Sequence, residues 1–391
     1  MQRTFVYKLK PTASQAVGLQ RYLDVTRGLY NAALEQRIGV YRRSGETRGW
    51  RTQSQEIKGC REAGLLEGCH VHAAQTALKR LDLAYAAFFR RCGAGADRKG
   101  FPRFKGRRHW RSVQFKEWGN GVALDPASQR LKISGVGAVR IRLHRPVQGS
   151  PKTCSLVRKP DGWYAHIVCD LGGAPTSADP QLVPETTRAS LDLGVESFAT
   201  LHDGTPIENP RHLRRATRKL RHEQKALSRC KRGSQRRAKQ RERVAKAHLK
   251  VVRTRRDFHH KQAHALAERY QAVAVEDLTV TTMVRSAKGT VEQPGCHVRQ
   301  KAGLNRSILD AGWGQFVRLL SEKLQARGGV LVQVDPRGTS QQCPGCAARV
   351  PKPLSERWHS CPACGLLIHR DHNAAINIHH RAWAVPVAEA A

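Results

Sequence analysis

The chain has 391 residues, enough for two or three domains, and 40% of them are hydrophobic, the composition of a globular protein. Its 69 Lys and Arg face 31 Asp and Glu, a formal net charge of +38 that asks for a long polyanion as partner. No run approaches the roughly 18 uncharged apolar residues of a membrane span, which argues against a membrane partner. The N-terminal MQRTFVYKLKP carries no apolar signal core, so a cytoplasmic, nucleoid-associated location is expected. Four of the eleven cysteines are paired in a pattern. The others, at positions 60, 69, 92, 154, 169, 230 and 296, are scattered and read as reduced thiols.

Residues 4–10 alternate as a short strand, and Thr12-Ala13-Ser14-Gln15 then opens a helix with a Thr-x-x-Gln capping box. Leu19, Leu23, Thr26, Tyr30 and Ala33 continue it at helical spacing, and a second helix is expected over 72–90. Residues 101–118 interleave Phe101, Phe104, Trp110, Phe115 and Trp118 with Arg103, Lys105, Arg107, Arg108, Arg111 and Lys116. Two readings stay open there: a surface on which nucleobases stack, or core aromatics edged by solvated charge. Period-two stretches at 130–134, 139–144, 154–159 and 163–169, with Pro160-Asp161-Gly162 as a hairpin turn, predict a compact antiparallel barrel. Residues 172–187 read as a linker.

Strands follow at 190–195 and 198–202, with a third after Asp203-Gly204. A long helical segment begins at Asn209-Pro210 and breaks at 230–234, which predicts a helical hairpin. Residues 211–261 hold 21 Lys and Arg against Glu223, Glu242 and Asp257, so +18 of the net charge sits on that hairpin. Such density needs an anion, and a nucleic-acid groove is expected, with Arg214, Arg215, Arg218, Arg236 and Arg237 among its contacts. The apolar strand 272–275 ends in Glu276; a helix near 307–327 and a strand over 329–334 come next.

Cys343/Cys346 and Cys361/Cys364 are two Cys-x-x-Cys knuckles separated by 14 residues, the pattern of a structural zinc site. A redox dithiol would come as one such pair. Asp371 opens the last helix and, taken alone, reads as its cap. Two further acids stand in apolar strands, Asp192 inside Leu-Asp-Leu and Glu276 after Ala-Val-Ala-Val, where an ionised carboxylate needs a partner or a cation. Three strands, a helical segment, a strand, a helix, a strand and a last helix, with acids on the first strand, fourth strand and last helix, is the order of a ribonuclease-H-like nuclease. Its acids would gather two divalent ions, and Mg²⁺ suits an all-oxygen site. Asp277, Asp310 and Asp335 are set aside: Asp277 alternates to the opposite face and Asp310 lies within a helix.

Gly100-Phe101-Pro102-Arg103-Phe104-Lys105, Leu191-Asp192-Leu193-Gly194-Val195, Val275-Glu276-Asp277-Leu278, Leu304 to Trp313, Thr339-Ser340-Gln341-Gln342-Cys343 and Arg370-Asp371-His372-Asn373-Ala374-Ala375 together resemble the TnpB (OrfB-type) proteins of bacterial insertion sequences, relatives of type V CRISPR effectors. The resemblance runs nearly end to end. It implies an α/β plus β-barrel multidomain chain: a wedge-like antiparallel barrel (1–11 and 93–171) with an inserted helical recognition lobe (12–92), the linker 172–187, and a ribonuclease-H-like, RuvC-type nuclease domain (188–335 and 366–391) interrupted by a zinc ribbon (336–365). It further implies an RNA-guided, Mg²⁺-dependent DNA endonuclease. Such a protein takes a guide RNA from the element's end and cuts matched double-stranded DNA beside a short transposon-adjacent motif. Asp192, Glu276 and Asp371 match the family's catalytic acids, and the four cysteines its zinc ligands. Two positions depart: His369 stands where an acid often precedes Arg-Asp, and Ala347 replaces a Gly after the first knuckle. A nuclease-inactive guided repressor and a strand-transferring transposase are the alternatives; the first would differ at the acids, the second in needing no guide.

Overall fold

The computed structural model describes residues 1–173, 175–353 and 355–383. Residue 174 of the expected linker, residue 354 of the expected zinc ribbon and residues 384–391 of the expected nuclease domain lie outside the described residues. The chain divides into two compact units, Met1–Gly173 and Ala174–Ala391. Among the described residues no helix is long and apolar enough to cross a membrane.

In the first unit, β1 (Gln2–Lys10) turns Phe5, Tyr7 and Leu9 inward at period two. Thr12 then caps α1 (Ala13–Ser44) with the expected box: its hydroxyl accepts from Gln15 N at 3.3 Å, and Gln15 Oε1 accepts from Thr12 N at 3.1 Å. The short helices α2 (Trp50–Gln55) and α3 (Ile57–Glu62) lead to α4 (Val71–Gly93). Then come β2 (Ser112–Phe115), β3 (Val122–Asp125), β4 (Arg130–Ile133), β5 (Gly137–Arg142), β6 (Ser150–Lys159) and β7 (Gly162–Asp170). With β1 they make one antiparallel sheet in the order β2-β6-β7-β1-β5-β4-β3. The strands expected as a compact barrel thus form a curled antiparallel half-barrel sheet, open between its edge strands β2 and β3. Leu19, Leu23 and Tyr30 of α1 and Leu78 and Leu81 of α4 share a single core with Phe5, Tyr7, Val113 and Phe115 of the sheet. The apolar stripes of both helices are thus buried in the same core as the inner face of the sheet.

Part of the expected linker belongs to the second unit, since Val183 is buried with Ala272, Ala274 and Trp383. The unit is built on β8 (Arg188–Asp192), β9 (Ser197–Leu201) and β10 (Pro206–Glu208), the helical hairpin α5 (His212–Ser228) and α6 (Gln235–Arg269), and β11 (Ala272–Glu276). A single turn, α7 (Val280–Met283), precedes α8 (Val298–Ala311) and α9 (Trp313–Gln325). The one helix expected over 307–327 is therefore two, broken at Gly312, which adopts a left-handed φ of 70°. After β12 (Val330–Val334) come the hairpin β13 (Trp358–Ser360) and β14 (Leu367–His369), then α10 (Arg370–Trp383). The central sheet runs β10-β9-β8-β11-β12, antiparallel across β10, β9 and β8 and parallel across β8, β11 and β12. Ala189, Leu191, Val273 and Val275 pack on the side of α6 and α9, while Ala272 and Ala274 pack against α10. Burial on both faces explains why the Ala-Val-Ala-Val strand reads as an unbroken apolar run.

Candidate active site and nucleic-acid interface

The period of the strands decides where the acids go. Ala272 and Ala274 face α10, so Glu276 emerges on that face too. Ser190 is also on it, its Oγ donating to Ala375 O of α10 at 2.7 Å, and Asp192 follows two residues later. The register pairs Val275 with Leu191, so the two acids stand one residue further along on neighbouring strands. Asp371, 8% exposed, enters from the first turn of the covering helix α10. A Cβ on Gly194 would sit 2.9 Å from Ser197 O and 3.8 Å from Asp371 Oδ2, so glycine lets this turn close against the acid.

Burial first, then the negative charges of Glu276 and Asp371, push the Asp192 carboxyl well above the ordinary Asp range, against the opposing charge of Arg370. Burial also raises Glu276, while a hydrogen bond from Thr339 and the charge of Arg381 pull it down. Glu276 and Asp371 lie near enough for their charges to act on Asp192, and an oxygen-only set of this kind suits a hard divalent cation. Three neighbours complete the site: Thr339 and Arg370, which stand in the motifs quoted above without an assigned role, and Arg357, which sequence reasoning missed. Arg357 places Nη1 3.9 Å from Asp371 Oδ1 and Nη2 2.9 Å from Glu196 Oε2. Arg370 anchors the segment ahead of α10 through Pro353 O at 2.8 Å and Ser340 Oγ at 3.0 Å. Thr339 donates to Glu276 Oε1 at 2.6 Å. These contacts join residues without common periodicity, so periodicity does not mark them.

The acids set aside lie elsewhere. Asp277 is exposed and accepts from Gln333 Nε2, and Asp335 accepts from the backbone N–H of Arg337. Asp310 is buried under the helical hairpin, accepting from Leu213 N at 2.8 Å and Arg255 Nη2 at 2.7 Å.

Cys343, Cys346, Cys361 and Cys364 bring their four sulfurs within 4.8 Å of one another, with Cys343–Cys364 at 3.6 Å and Cys346–Cys361 at 3.5 Å. Zinc–thiolate bonds of about 2.3 Å imply tetrahedral edges of roughly 3.8 Å, so the cluster fits zinc without rearrangement. Within this mutually bonded cluster the backbone N–H of Cys364 leads in lowering the Cys361 thiol to about 6, while hydrogen bonds among the cysteines raise Cys346 to about 12 and Cys364 above its usual value. Ala347 takes a left-handed φ of 61°, the counterpart of Gly365 at 76°, and each donates its N–H over 2.9 Å to the first Cys of its knuckle. The missing Gly has left the turn unchanged and strained.

The basic residues divide. Arg214, Arg215, Arg218 and Arg236 are exposed on the hairpin, but Arg237 spends its guanidinium on Leu227 O and Cys230 O, both at 2.9 Å, and closes the hairpin instead. A cavity of about 580 Å³ between α5 and α6 is lined by Arg215, Lys219, Arg243, Lys246 and Lys250. In the first unit Arg103 and Arg108 are exposed, Lys105 is half-buried, Arg107 is paired with Asp24, and Arg111 donates to Arg108 O. Trp110 and Phe115 are core, with Trp110 Nε1 donating to Thr26 Oγ1 at 2.9 Å, whereas Phe101 and Phe104 are exposed. The core reading holds for Trp110 and Phe115, while Phe101, although exposed, packs edge-on against Tyr85 and Phe88.

Comparison with known proteins bears on this arrangement. The chain is 32% identical to "Putative RNA-guided DNA endonuclease InsQ" of Escherichia coli K12, over 96% of its own length and 91% of that protein's. The chain belongs to the TnpB (OrfB-type) family. Its family profiles match residues 166–287 ("Probable transposase"), 313–378 ("Cas12f1-like, TNB domain") and 1–46 ("Helix-turn-helix domain"). In this TnpB-family chain residues 1–46 form β1 and the single helix α1. A second relative, "Putative RNA-guided DNA endonuclease" of Streptomyces pristinaespiralis, is 31% identical over 97% of the chain and 89% of that protein. Among solved structures, the mini-RNA-guided endonuclease CRISPR-Cas_phi3 superposes with a TM-score of 0.49 at 10% identity, covering 98% of this chain and 92% of that one.

Proposed function

We propose that this TnpB-family protein is an RNA-guided DNA endonuclease. Its reaction centre would be Asp192, Glu276 and Asp371 on a ribonuclease-H-like, RuvC-type sheet, and the observation that carries the reading is the convergence of these acids on the α10 face. Two Mg²⁺ ions held by the three carboxylates would supply an activated water and stabilise the leaving oxygen of a phosphodiester. The chain's own residues do the rest. Asp192 and Glu276, fixed by strand register, hold one side of the site rigid, and Asp371 closes it from α10. Arg357, poised beside Asp371, offers a guanidinium to a phosphate oxygen of the strand being cut. The four cysteines would hold zinc and so steady the ribbon in which Arg357 directly precedes β13.

The exposed arginines of α5 and α6, and Arg103, Arg108, Phe101 and Phe104 of the first unit, contact guide and target, chiefly at phosphates and by stacking. Sequence choice is left to base pairing with a guide from the element's end, apart from a short duplex motif beside the target. The test is to express the protein with its flanking genomic DNA, sequence the copurifying RNA, and challenge RNA-matched plasmids with randomised flanks, using Asp192→Ala as control. Mg²⁺-dependent cutting lost in the variant is the expected result. Tight RNA-directed binding without cutting would instead mean a guided repressor, and absence of RNA a strand-transferring transposase.

A further inference from the structure

Helix α10 carries Asn373, Asn377 and Arg381 at spacings of four, on one face, and all three are bonded to a single loop. Asn373 Nδ2 donates to Thr339 O at 3.1 Å and Gln342 O at 3.0 Å. Asn377 Nδ2 donates to the same two carbonyls, both at 2.7 Å. Arg381 Nη1 reaches Asp335 O and Arg337 O, both at 2.8 Å. Four carbonyls of the connection from β12 to the first zinc knuckle are thus gripped by one helix. Asn373 is 0%, Asn377 4% and Thr339 3% exposed, so this is a buried polar network, of the kind that fixes one arrangement at the expense of apolar packing.

The network ends on an acid. Thr339 Oγ1 lies 2.6 Å from Glu276 Oε1 and 3.2 Å from Pro336 O. A hydroxyl has one proton, and the shorter contact with the more strongly accepting group takes it. One oxygen of Glu276 is therefore held by a neutral donor, which leaves the carboxylate its charge and its second oxygen.

We propose that Thr339 is a positioning residue for Glu276, pinning Oε1 so that Oε2 is presented to a divalent cation, with Asn373 and Asn377 setting the loop that carries it. The proposal rests on the reading of the three acids as a divalent-cation site. It also ties that site to the zinc ribbon, because the same loop runs directly into Cys343.

The experiment titrates Mn²⁺ alone into the zinc-loaded full-length protein, free of nucleic acid, and follows free Mn²⁺ by electron paramagnetic resonance. Zinc content and melting temperature are recorded alongside. Thr339→Val is expected to weaken Mn²⁺ binding about 10-fold, the usual loss when a ligand's supporting hydrogen bond is removed. Thr339→Ser, which keeps the hydroxyl, is expected to restore it. Should Thr339→Val fail to fold, Thr339→Ala removes the hydroxyl without adding a methyl and carries the same comparison. Wild-type binding in the hydroxyl-free variant overturns the proposal, as does a loss in Thr339→Ser equal to that in Thr339→Val, which would assign the effect to packing. Glu276→Gln separates the two readings. If it too binds Mn²⁺ like the wild type, the divalent-cation site itself is wrong; if it alone loses binding, only the role of Thr339 is.

Discussion

Asp192 is expensive to the fold that holds it. Its carboxyl is raised by burial and by two like charges, so the native state keeps that proton to higher pH than the unfolded chain does. Between the ordinary Asp value near 3.8 and its raised native value, the native state therefore binds more protons, and stability falls as pH rises. Asp192→Asn removes that slope. In Mg²⁺-free buffer with zinc retained, the variant is expected to be more stable than the wild type at neutral pH. Thermal unfolding across pH checks it; a variant as pH-dependent as the wild type would contradict it. Ala347 is a second single-residue strain, left-handed at φ 61° where its twin is Gly365. Ala347→Gly is expected to stabilise the ribbon by about 1 kcal/mol and to slow zinc loss in a chelator competition.

At the scale of elements, the strands and helices that carry the acids were legible because periodicity alone orients them. Two-residue alternation places Asp192 and Glu276 on one face, and the break at 230–234 divides α5 from α6. β2 lies inside the basic, aromatic stretch 101–118, and neither it nor β3 was legible as a strand. Nor was the work of Asp310, Arg357 and Thr339, whose partners lie 97, 14 and 63 residues away in the chain. Asp310 shows the limit well. Its place inside a helical pattern made it dispensable on paper, yet it caps the N-terminus of α5 and pairs with Arg255 of α6, joining the basic hairpin to α8. Asp310→Ala leaves a largely buried guanidinium and a backbone N–H unmet, an expected loss of about 3 kcal/mol in urea unfolding. Mn²⁺ binding at the acids should survive at temperatures where the variant stays folded. Loss of both together would place Asp310 in the site.

For the whole molecule, charge decides more than any contact. A net +38, with +18 between residues 211 and 261, is self-repelling, and pairs such as Lys261–Asp257 are too exposed to offset it. The free energy released when phosphates replace small anions along such a surface is largely counterion release, so it must weaken as salt rises. Guide-RNA affinity is expected to fall about 10³-fold or more between roughly 50 and 200 mM salt. Removing contacts should lower that slope in proportion, by about 0.7 per phosphate lost on single-stranded RNA. Arg214→Gln, Arg215→Gln and Arg218→Gln together test this on the exposed part of α5. Fluorescence anisotropy of a labelled guide at several salt concentrations reads the slope for wild type and triple variant. A reduction of about two units would put all three arginines on phosphates. An unchanged slope would mean that α5 faces away from the guide, and would move the RNA path to the other basic surfaces of the chain.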